Sequence, residues 1–143
     1  MTHEQFITKE TAKLAKQAGF DWEVNSYLSY YGNCPDNPHW AVSVQQEYKD
    51  WNNYKFKHIL EAYSAPTQSV LQRWLREIKG ISVEVCHVIV WVEGGTLGIK
   101  WCYRICYLNF NESDILSSDD FNTYEAALEA SLRKCLTLLI EKQ

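Results

Sequence analysis

The sequence has no long apolar run, and this absence excludes a membrane-spanning helix. Its longest uninterrupted apolar stretch runs from Val88 to Val92, whereas a helix that spans a bilayer needs about 20 residues. The start of the chain, MTHEQFITKE, lacks the basic and apolar regions of a signal peptide. These absences predict a cytosolic protein that does not interact with membranes.

Paired cysteine spacing is absent: the cysteines are odd in number and irregularly spaced, which argues against a disulfide framework. The chain has five cysteines in 143 residues, and an odd number without paired spacing is typical of reduced intracellular thiols. Cys102 and Cys106 share a strand face but lie roughly 13 Å apart, too far for two thiolates on one zinc ion. Cys86 faces one or the other of them across a hairpin, depending on the register. We therefore predict no metal site and no other cofactor.

Motifs for catalysis or phosphate binding are also absent. The sequence contains no Walker-type loop, GxGxxG, HExxH or GxSxG pattern. The acidic segment 109–120 lacks the glycine and the final glutamate of a calcium loop. Cys86 and His87 are adjacent in a predicted strand and point to opposite faces, so we expect His87 to be a hydrogen-bonded core histidine. No catalytic residue is predicted.

What the sequence does have is a surplus of aromatic residues. It contains six Trp, nine Tyr and five Phe, with a formal net charge of −4. The negative charge gives no long-range attraction to nucleic acid or to an anionic membrane. The rings are numerous enough to fill a core and to leave some for a surface.

In the N-terminal half, the residue pattern predicts a helix and two strands. Apolar residues at helical spacing cover 3–18, and Gly19 ends this helix. Residues 23–31 and 40–48 are typical of strands and are separated by a proline-containing loop at 32–38. The segment 58–63 is either a strand or a lead-in to the next helix.

The C-terminal half has clearer periodicity. A helix is predicted over 65–79, with Pro66 at its start, Gly80 at its end and one apolar stripe. Residues 81–91 and 99–107 alternate as the strands of a long hairpin, and an acidic connection leads to a helix that Thr123 caps. The apolar stripe of the helix at 65–79 consists of Val70, Leu71, Trp74, Leu75 and Ile78. The stripe of the closing helix consists of Leu128, Ser131, Leu132, Cys135, Leu136 and Leu139.

These elements predict an α+β fold. We expect an antiparallel sheet with a long hairpin in the C-terminal half, packed on one face by two or three helices. Its length suggests that 1–143 is a single domain.

Three segments resemble a known group of proteins. LAKQAGFDW at 14–22, SAPTQSVLQRWLREIKGISVEV at 64–85 and FNTYEAALEASLRKCL at 121–136 are similar to a family of small uncharacterised proteins encoded in bacterial chromosomes, prophages and mobile elements. The central segment is the most specific of the three. The resemblance implies a compact cytosolic protein of bacterial or phage origin, and it implies no activity, cofactor or site residue.

The leading hypothesis is a non-enzymatic protein that binds an unidentified protein partner or self-associates. Its candidate interaction surface consists of Trp40, Trp51, Tyr54, Arg73 and Arg76. The alternative is a nucleic-acid-binding module of α-β-β-β-α type, in which Arg73 and Arg76 would meet the phosphate backbone. The acidic residues before the closing helix disfavour that alternative, as does the presence of only two clear strands.

An enzyme is the third hypothesis. It would have to use scattered residues such as Asp21, His39 and His58.

Overall fold

The computed structural model describes residues 4–31, 39–57, 59, 61–109 and 112–143. The predicted loop 32–38 and His58 lie outside the described residues. The chain divides into two compact units, of which the first comprises Met1–Val70 and Leu136–Gln143 and the second comprises Leu71–Cys135. The single domain expected from the length therefore stays a prediction.

The described residues form three helices and two antiparallel sheets of three strands, an α+β fold as predicted. Their order along the chain is α1 (Lys9–Gln17), β1 (Val24–Tyr31), β2 (His39–Lys49), β3 (Ala62–Ser64), α2 (Gln68–Lys79), β4 (Ile81–Val92), β5 (Thr96–Tyr107), β6 (Ile115–Leu116) and α3 (Tyr124–Glu141). The strand order is β2-β1-β3 in one sheet and β4-β5-β6 in the other.

The prediction of a single sheet is thus replaced by two. The three strands that precede α2 in the sequence pair with one another, and so do the three strands that follow it, as short connections favour.

Helix α1 is shorter than predicted because it has a defined cap. The hydroxyl of Thr8 accepts a hydrogen bond from the backbone N–H of Thr11, which fixes the first helical residue as Lys9. At the other end, Gly19 has a φ of 95°, a left-handed conformation that ends helices and that glycine adopts without strain.

Buried polar contacts hold together the core of the first unit. The indole N–H of Trp51 donates to the carbonyl of Val24 at 2.6 Å. The side chain of Asn52 donates to the carbonyl of Phe20 at 2.9 Å and accepts from the N–H of Ser64 at 2.8 Å. These bonds satisfy backbone groups that would otherwise be buried without partners, and they connect the turn after β2 to β1 and β3.

Helix α2 begins later than predicted, at Gln68 in place of residue 65. The backbone just before it forms hydrogen bonds with the N-terminal segment. The N–H of Ile7 donates to the carbonyl of Pro66, and the N–H of Gln68 donates to the carbonyl of Gln5. Of the predicted apolar stripe, Leu71, Trp74 and Leu75 are buried. Val70 is half-buried and Ile78 is exposed, so the buried stripe is narrower than the sequence suggested.

The predicted long hairpin is confirmed as β4 and β5, each of 12 residues. Its strands pair in register from Ile81↔Tyr107 to Val92↔Thr96. A third strand, β6, lies in the predicted acidic connection and pairs Ile115 with Ile105. In helix α3, the hydroxyl of Thr123 accepts from the N–H of Ala126 at 3.1 Å, which confirms the predicted cap.

Most of the predicted stripe of α3 is buried, namely Leu128, Ser131, Leu132, Cys135 and Leu136. Leu139 is half-buried.

Among the described residues, no helix is long and apolar enough to cross a membrane.

Candidate protein-interaction surface

One face of the β4–β5 hairpin changes from buried to exposed along its length. Directly paired residues share a face of a sheet, and every second residue returns to it. Near the base of the hairpin, Val83 pairs with Ile105, and both side chains are buried. Further out on the same face, the side chains remain apolar but are exposed to solvent.

Four large apolar side chains form this exposed continuation, which we call the distal face: Ile89, Trp91, Leu97 and Ile99. Ile89 pairs with Ile99 and Trp91 pairs with Leu97. Their exposed fractions are 69%, 75%, 61% and 60% for Ile89, Trp91, Leu97 and Ile99. Because a large side chain offers roughly 150–250 Å², the distal face exposes an apolar area on the order of 500 Å². Monomeric soluble proteins rarely expose more in one patch.

The last pair before the distal face on this side of the hairpin is formed by His87 and Trp101. Their rings contact edge to face with centroids 5.6 Å apart, and Tyr124 of helix α3 contacts the other side of Trp101 at 5.7 Å. Trp101 also exchanges two backbone hydrogen bonds with Phe121. Helix α3 and the segment just before it thus contact Trp101, which is partly buried. His87 is exposed, so the prediction of a core histidine was wrong. Tyr124 packs against the ring of Trp101, and the ring of His87 stays exposed.

Glycines in and near the turn at the tip of the hairpin let its two strands pair closely. Gly94 and Gly95 have φ values of 92° and 77°, so the turn uses conformations that suit glycine. At Gly98, a Cβ atom would lie only 2.8 Å from a methyl carbon of Val92. The turn also carries Glu93, which is exposed, and this places a negative charge at the tip beside the uncharged distal face.

Beyond Val83, whose carbonyl accepts a hydrogen bond from the side chain of Gln72 at 2.8 Å, the outer edge of β4 pairs with no described strand. Strand β4 is the terminal strand of its sheet, with β5 as its neighbour. An edge strand presents a row of N–H and C=O groups that can pair with another strand. From Val85 to Val92, this edge carries no Asp, Glu, Lys or Arg and no proline. It lacks the charges and prolines by which natural proteins block edge pairing.

The sequence-predicted surface is not assembled as one site. Trp51 is buried, with 6% exposure, which corrects its assignment to an exposed surface: the hydrogen bond to Val24 fixes it in the core. Tyr54 is exposed, and its ring contacts Trp51 edge to face at 5.2 Å. The ammonium group of Lys49 lies 4.6 Å from the ring centre of Tyr54, so the protein supplies its own cation to this aromatic cluster.

Trp40 belongs to a second aromatic cluster. It is half-buried, stacks on Tyr63 with ring centres 5.5 Å apart and contacts Tyr30 at the same distance. The ammonium group of Lys9 lies 4.7 Å from the centre of its ring. These contacts are intramolecular, so Trp40 packs against its own unit.

Arg73 and Arg76 are exposed on α2, as predicted. The guanidinium of Arg73 pairs with the carboxylate of Glu77 at 2.9 Å. Such a pair on a helix surface contributes only a few tenths of a kcal/mol and partly neutralises the cation. These two arginines belong to the second unit, whereas Trp40, Trp51 and Tyr54 belong to the first.

Of the three residues named in the enzyme hypothesis, the structure describes two. Asp21 and His39 are both exposed, and His58 lies outside the described residues. A search of the described residues found no group of three or more His, Cys, Asp or Glu side chains placed to hold a metal ion.

The sequence interpretation missed the distal face, although a signal for it exists. Strand β4 has 12 residues and extends roughly 40 Å at about 3.3 Å per residue. Helix α2 also has 12 residues and extends only about 18 Å. A hairpin that is apolar along its whole length is therefore longer than this helix can cover.

Comparison with protein-family models, with curated proteins and with solved structures gave no match to this chain.

Proposed function

We propose that this protein is a non-enzymatic interaction protein that self-associates through the distal face of its β4–β5 hairpin. The observation that carries the proposal is the continuation of a buried apolar strand face into four side chains that are 60–75% exposed. Burial of such a surface against a partner favours association, because it removes apolar area from water. We also expect a cytosolic protein of bacterial or phage origin, as the family resemblance implies.

A second copy of the chain is the partner that suits this surface. A two-fold dimer uses the same patch on both subunits, and a patch without formal charge meets itself without repulsion. Two copies of the distal face bring together on the order of 1,000 Å², near the lower limit for a specific interface. Pairing of the β4 edges of two copies would instead extend the sheet side by side and leave both distal faces exposed, so face-to-face packing is the contact that buries them.

A lipid surface suits the distal face less well. Glu93 lies in the turn at the hairpin tip, and its carboxylate would have to enter or cross the headgroup region. The net charge of −4 also opposes approach to an anionic membrane.

The proposal is tested by sedimentation velocity of the full chain over a range of micromolar concentrations. We expect a reversible monomer–dimer equilibrium in the wild type. Leu97→Lys places a charge in the centre of the interface and should weaken dimerisation by about tenfold or more, as truncation of an interface anchor does. The matched control is Leu116→Lys, because Leu116 is also a strongly exposed leucine of the second unit, at 71%, but lies outside the distal face.

The outcomes separate clearly. Dimerisation that is lost in Leu97→Lys and retained in Leu116→Lys supports the proposal. A wild type that is monomeric at every concentration contradicts it, as does an equal effect of the two variants. Binding of the wild type to neutral lipid vesicles without dimerisation would replace the second copy by a membrane.

One observation favours nucleic-acid binding as a second candidate function. The short strand β6 completes an α2-β4-β5-β6-α3 order, the order of elements in double-stranded-RNA modules, which removes the objection that only two strands separate the helices. The charges oppose it, however. Asp119, Asp120 and Glu125 are exposed around the start of α3, where such a module needs positive charge to meet phosphate.

A further inference from the structure

Two cysteines face each other on the side of the hairpin opposite to the distal face. Cys86 of β4 pairs directly with Cys102 of β5, and their Sγ atoms lie 3.3 Å apart. Both are free thiols; Cys86 is exposed and Cys102 is partly exposed. We propose that Cys86 and Cys102 form a redox-active dithiol that closes reversibly to an intramolecular disulfide across the hairpin. This inference does not depend on self-association.

The backbone geometry already suits the bond. Directly opposed residues of an antiparallel pair have Cα atoms about 4.5–5.5 Å apart, within the range of about 4.4–6.8 Å found in disulfides. The sulfur atoms need to approach from 3.3 Å to about 2.05 Å. Side-chain rotation supplies this movement, so the strands keep their pairing in both redox states.

The other cysteines of the described chain lack such a partner. Cys106 lies on the same strand and the same face as Cys102, but the residue opposite it is Ser82. Cys135 is fully buried in α3, where a small-molecule oxidant does not reach it. Cys106 therefore provides a matched control: it is a partly exposed thiol on the same strand without an opposed cysteine.

The dithiol is open to a small reagent. Cys86 and Cys102 line a surface depression of about 500 Å³, large enough for a low-molecular-weight thiol or disulfide to approach the sulfurs. Its other walls include Glu84, Arg104 and Asp120. Arg104 is paired with Glu84 at 3.0 Å, so Asp120 remains as a negative group facing the dithiol.

The reaction is a two-step thiol–disulfide exchange with a low-molecular-weight disulfide such as oxidised glutathione. The thiolate of one cysteine attacks a sulfur of glutathione disulfide, forms a mixed disulfide and releases one glutathione thiolate. The thiolate of the other cysteine then attacks the protein sulfur of the mixed disulfide and releases the second glutathione. The protein loses two electrons and two protons, and the reagent is reduced to two glutathione molecules.

The surroundings make this exchange slow at neutral pH. The hydrogen bond with Cys86 and partial burial raise the pKa of Cys102, and the charge of Asp120 acts in the same direction. The thiolate is the reactive species, so the rate should rise with pH across the alkaline range. The dithiol thus suits a slow response to a sustained oxidising change.

The test uses the full chain, reduced and then freed of reductant. It is equilibrated in glutathione buffers of increasing oxidised fraction, and free thiols are trapped by alkylation before mass spectrometry. We expect the wild type to lose two hydrogen masses and to yield a peptide cross-linked between Cys86 and Cys102. Dithiothreitol should restore both thiols. In Cys86→Ser, the reaction should stop at glutathione attached to Cys102.

The control variant is Cys106→Ser, which should form the Cys86–Cys102 cross-link to the same extent as the wild type. A cross-link to Cys106 or between chains would overturn the proposal. So would a wild type that keeps glutathione adducts without closing the bond, or one that stays fully reduced in oxidised glutathione. Peptide mapping of the wild type alone decides the question if a serine variant fails to fold.

Discussion

Ile89 and Ile99 lie directly opposite each other across β4 and β5, and both are more than half exposed. On the same face, the pair Val83 and Ile105 is buried. The hairpin thus presents one chemical pattern in two environments, because the fold covers its base and leaves its outer half open. Solvent exposure, and not residue type, therefore distinguishes the distal face from the core.

The contrast predicts different stability effects for one substitution at two sites of β5. Ile105→Ala removes a fully buried side chain and should lower the free energy of unfolding by about 2–5 kcal/mol. Ile99→Ala changes an exposed side chain and should alter it by no more than about 0.5 kcal/mol. Urea unfolding at a concentration where the protein is monomeric measures both. Equal losses at the two sites would show that the distal face is covered within the chain.

A second prediction concerns the turn after β2. Asn52→Ala leaves the buried carbonyl of Phe20 and the N–H of Ser64 without the partners described above, and should destabilise the protein by about 1–3 kcal/mol. The neighbouring Asn53 is exposed, and its side-chain amide donates a hydrogen bond to the carboxylate of Asp50 at 2.6 Å. Asn53→Ala should change the stability by less than about 0.5 kcal/mol. Thermal melting of the two variants tests whether this asparagine connects the segment before β1 to β3.

Much of the fold could be predicted from local pattern. Strict alternation predicted the two strands of the β4–β5 hairpin but not their register, and the Thr123 cap predicted the start of α3, because both signals lie within a few residues. Strand β6 could not be predicted in the same way. Its two residues, Ile115 and Leu116, lie among acidic and polar residues, and only pairing with β5 makes them a strand.

The candidate site was harder to predict because exposure depends on the length of the covering elements. An apolar strand face predicts burial wherever something covers it, so His87 was assigned to the core. Trp51 lies in polar, turn-rich sequence that predicted exposure, yet its indole N–H finds a carbonyl in β1 that the sequence alone does not place nearby. Both errors come from long-range packing and not from local propensity.

A third prediction follows from the buried thiol of Cys135. Burial raises the pKa of Cys135 from 9.0 to about 12, because the folded state disfavours the thiolate. Below about pH 9 the thiol is protonated in both states and has no effect. Above pH 9 the unfolded chain ionises first, so stability should fall by about 1.4 kcal/mol per pH unit up to about pH 12.

The measurement is the free energy of unfolding of the wild type and Cys135→Ala from pH 8 upward. Tyrosines ionise in the same range, and the pKa of Tyr63 is also raised, to about 12. The contribution of Tyr63 is common to both proteins and cancels in the difference, whereas the pKa values of Tyr103 and Tyr107 are raised first by burial and then by the charge of Cys135, so part of their contribution belongs to the effect of this thiol. The gap between wild type and variant should therefore shrink as the pH rises, and a gap that stays constant would mean that the thiol is accessible to solvent in the folded state.

A fourth prediction concerns nucleic acid. At low salt, where electrostatic binding is strongest, the protein should not change the fluorescence anisotropy of a labelled RNA duplex. The physical reason is the distribution of charge: Asp119 and Asp120 precede α3, and Glu77 neutralises part of the charge of Arg73. A single-stranded RNA of the same length serves as the second probe.

Charge variants make this prediction decisive. If Asp119→Lys, Asp120→Lys gains binding that weakens as salt is raised, the acidic segment is what prevents a double-stranded-RNA mode. Binding by the wild type at micromolar concentration, lost in Arg73→Glu, Arg76→Glu, would contradict the prediction and favour the second candidate function. Leu97→Lys separates the two functions, because it should weaken self-association and leave any binding through α2 unchanged.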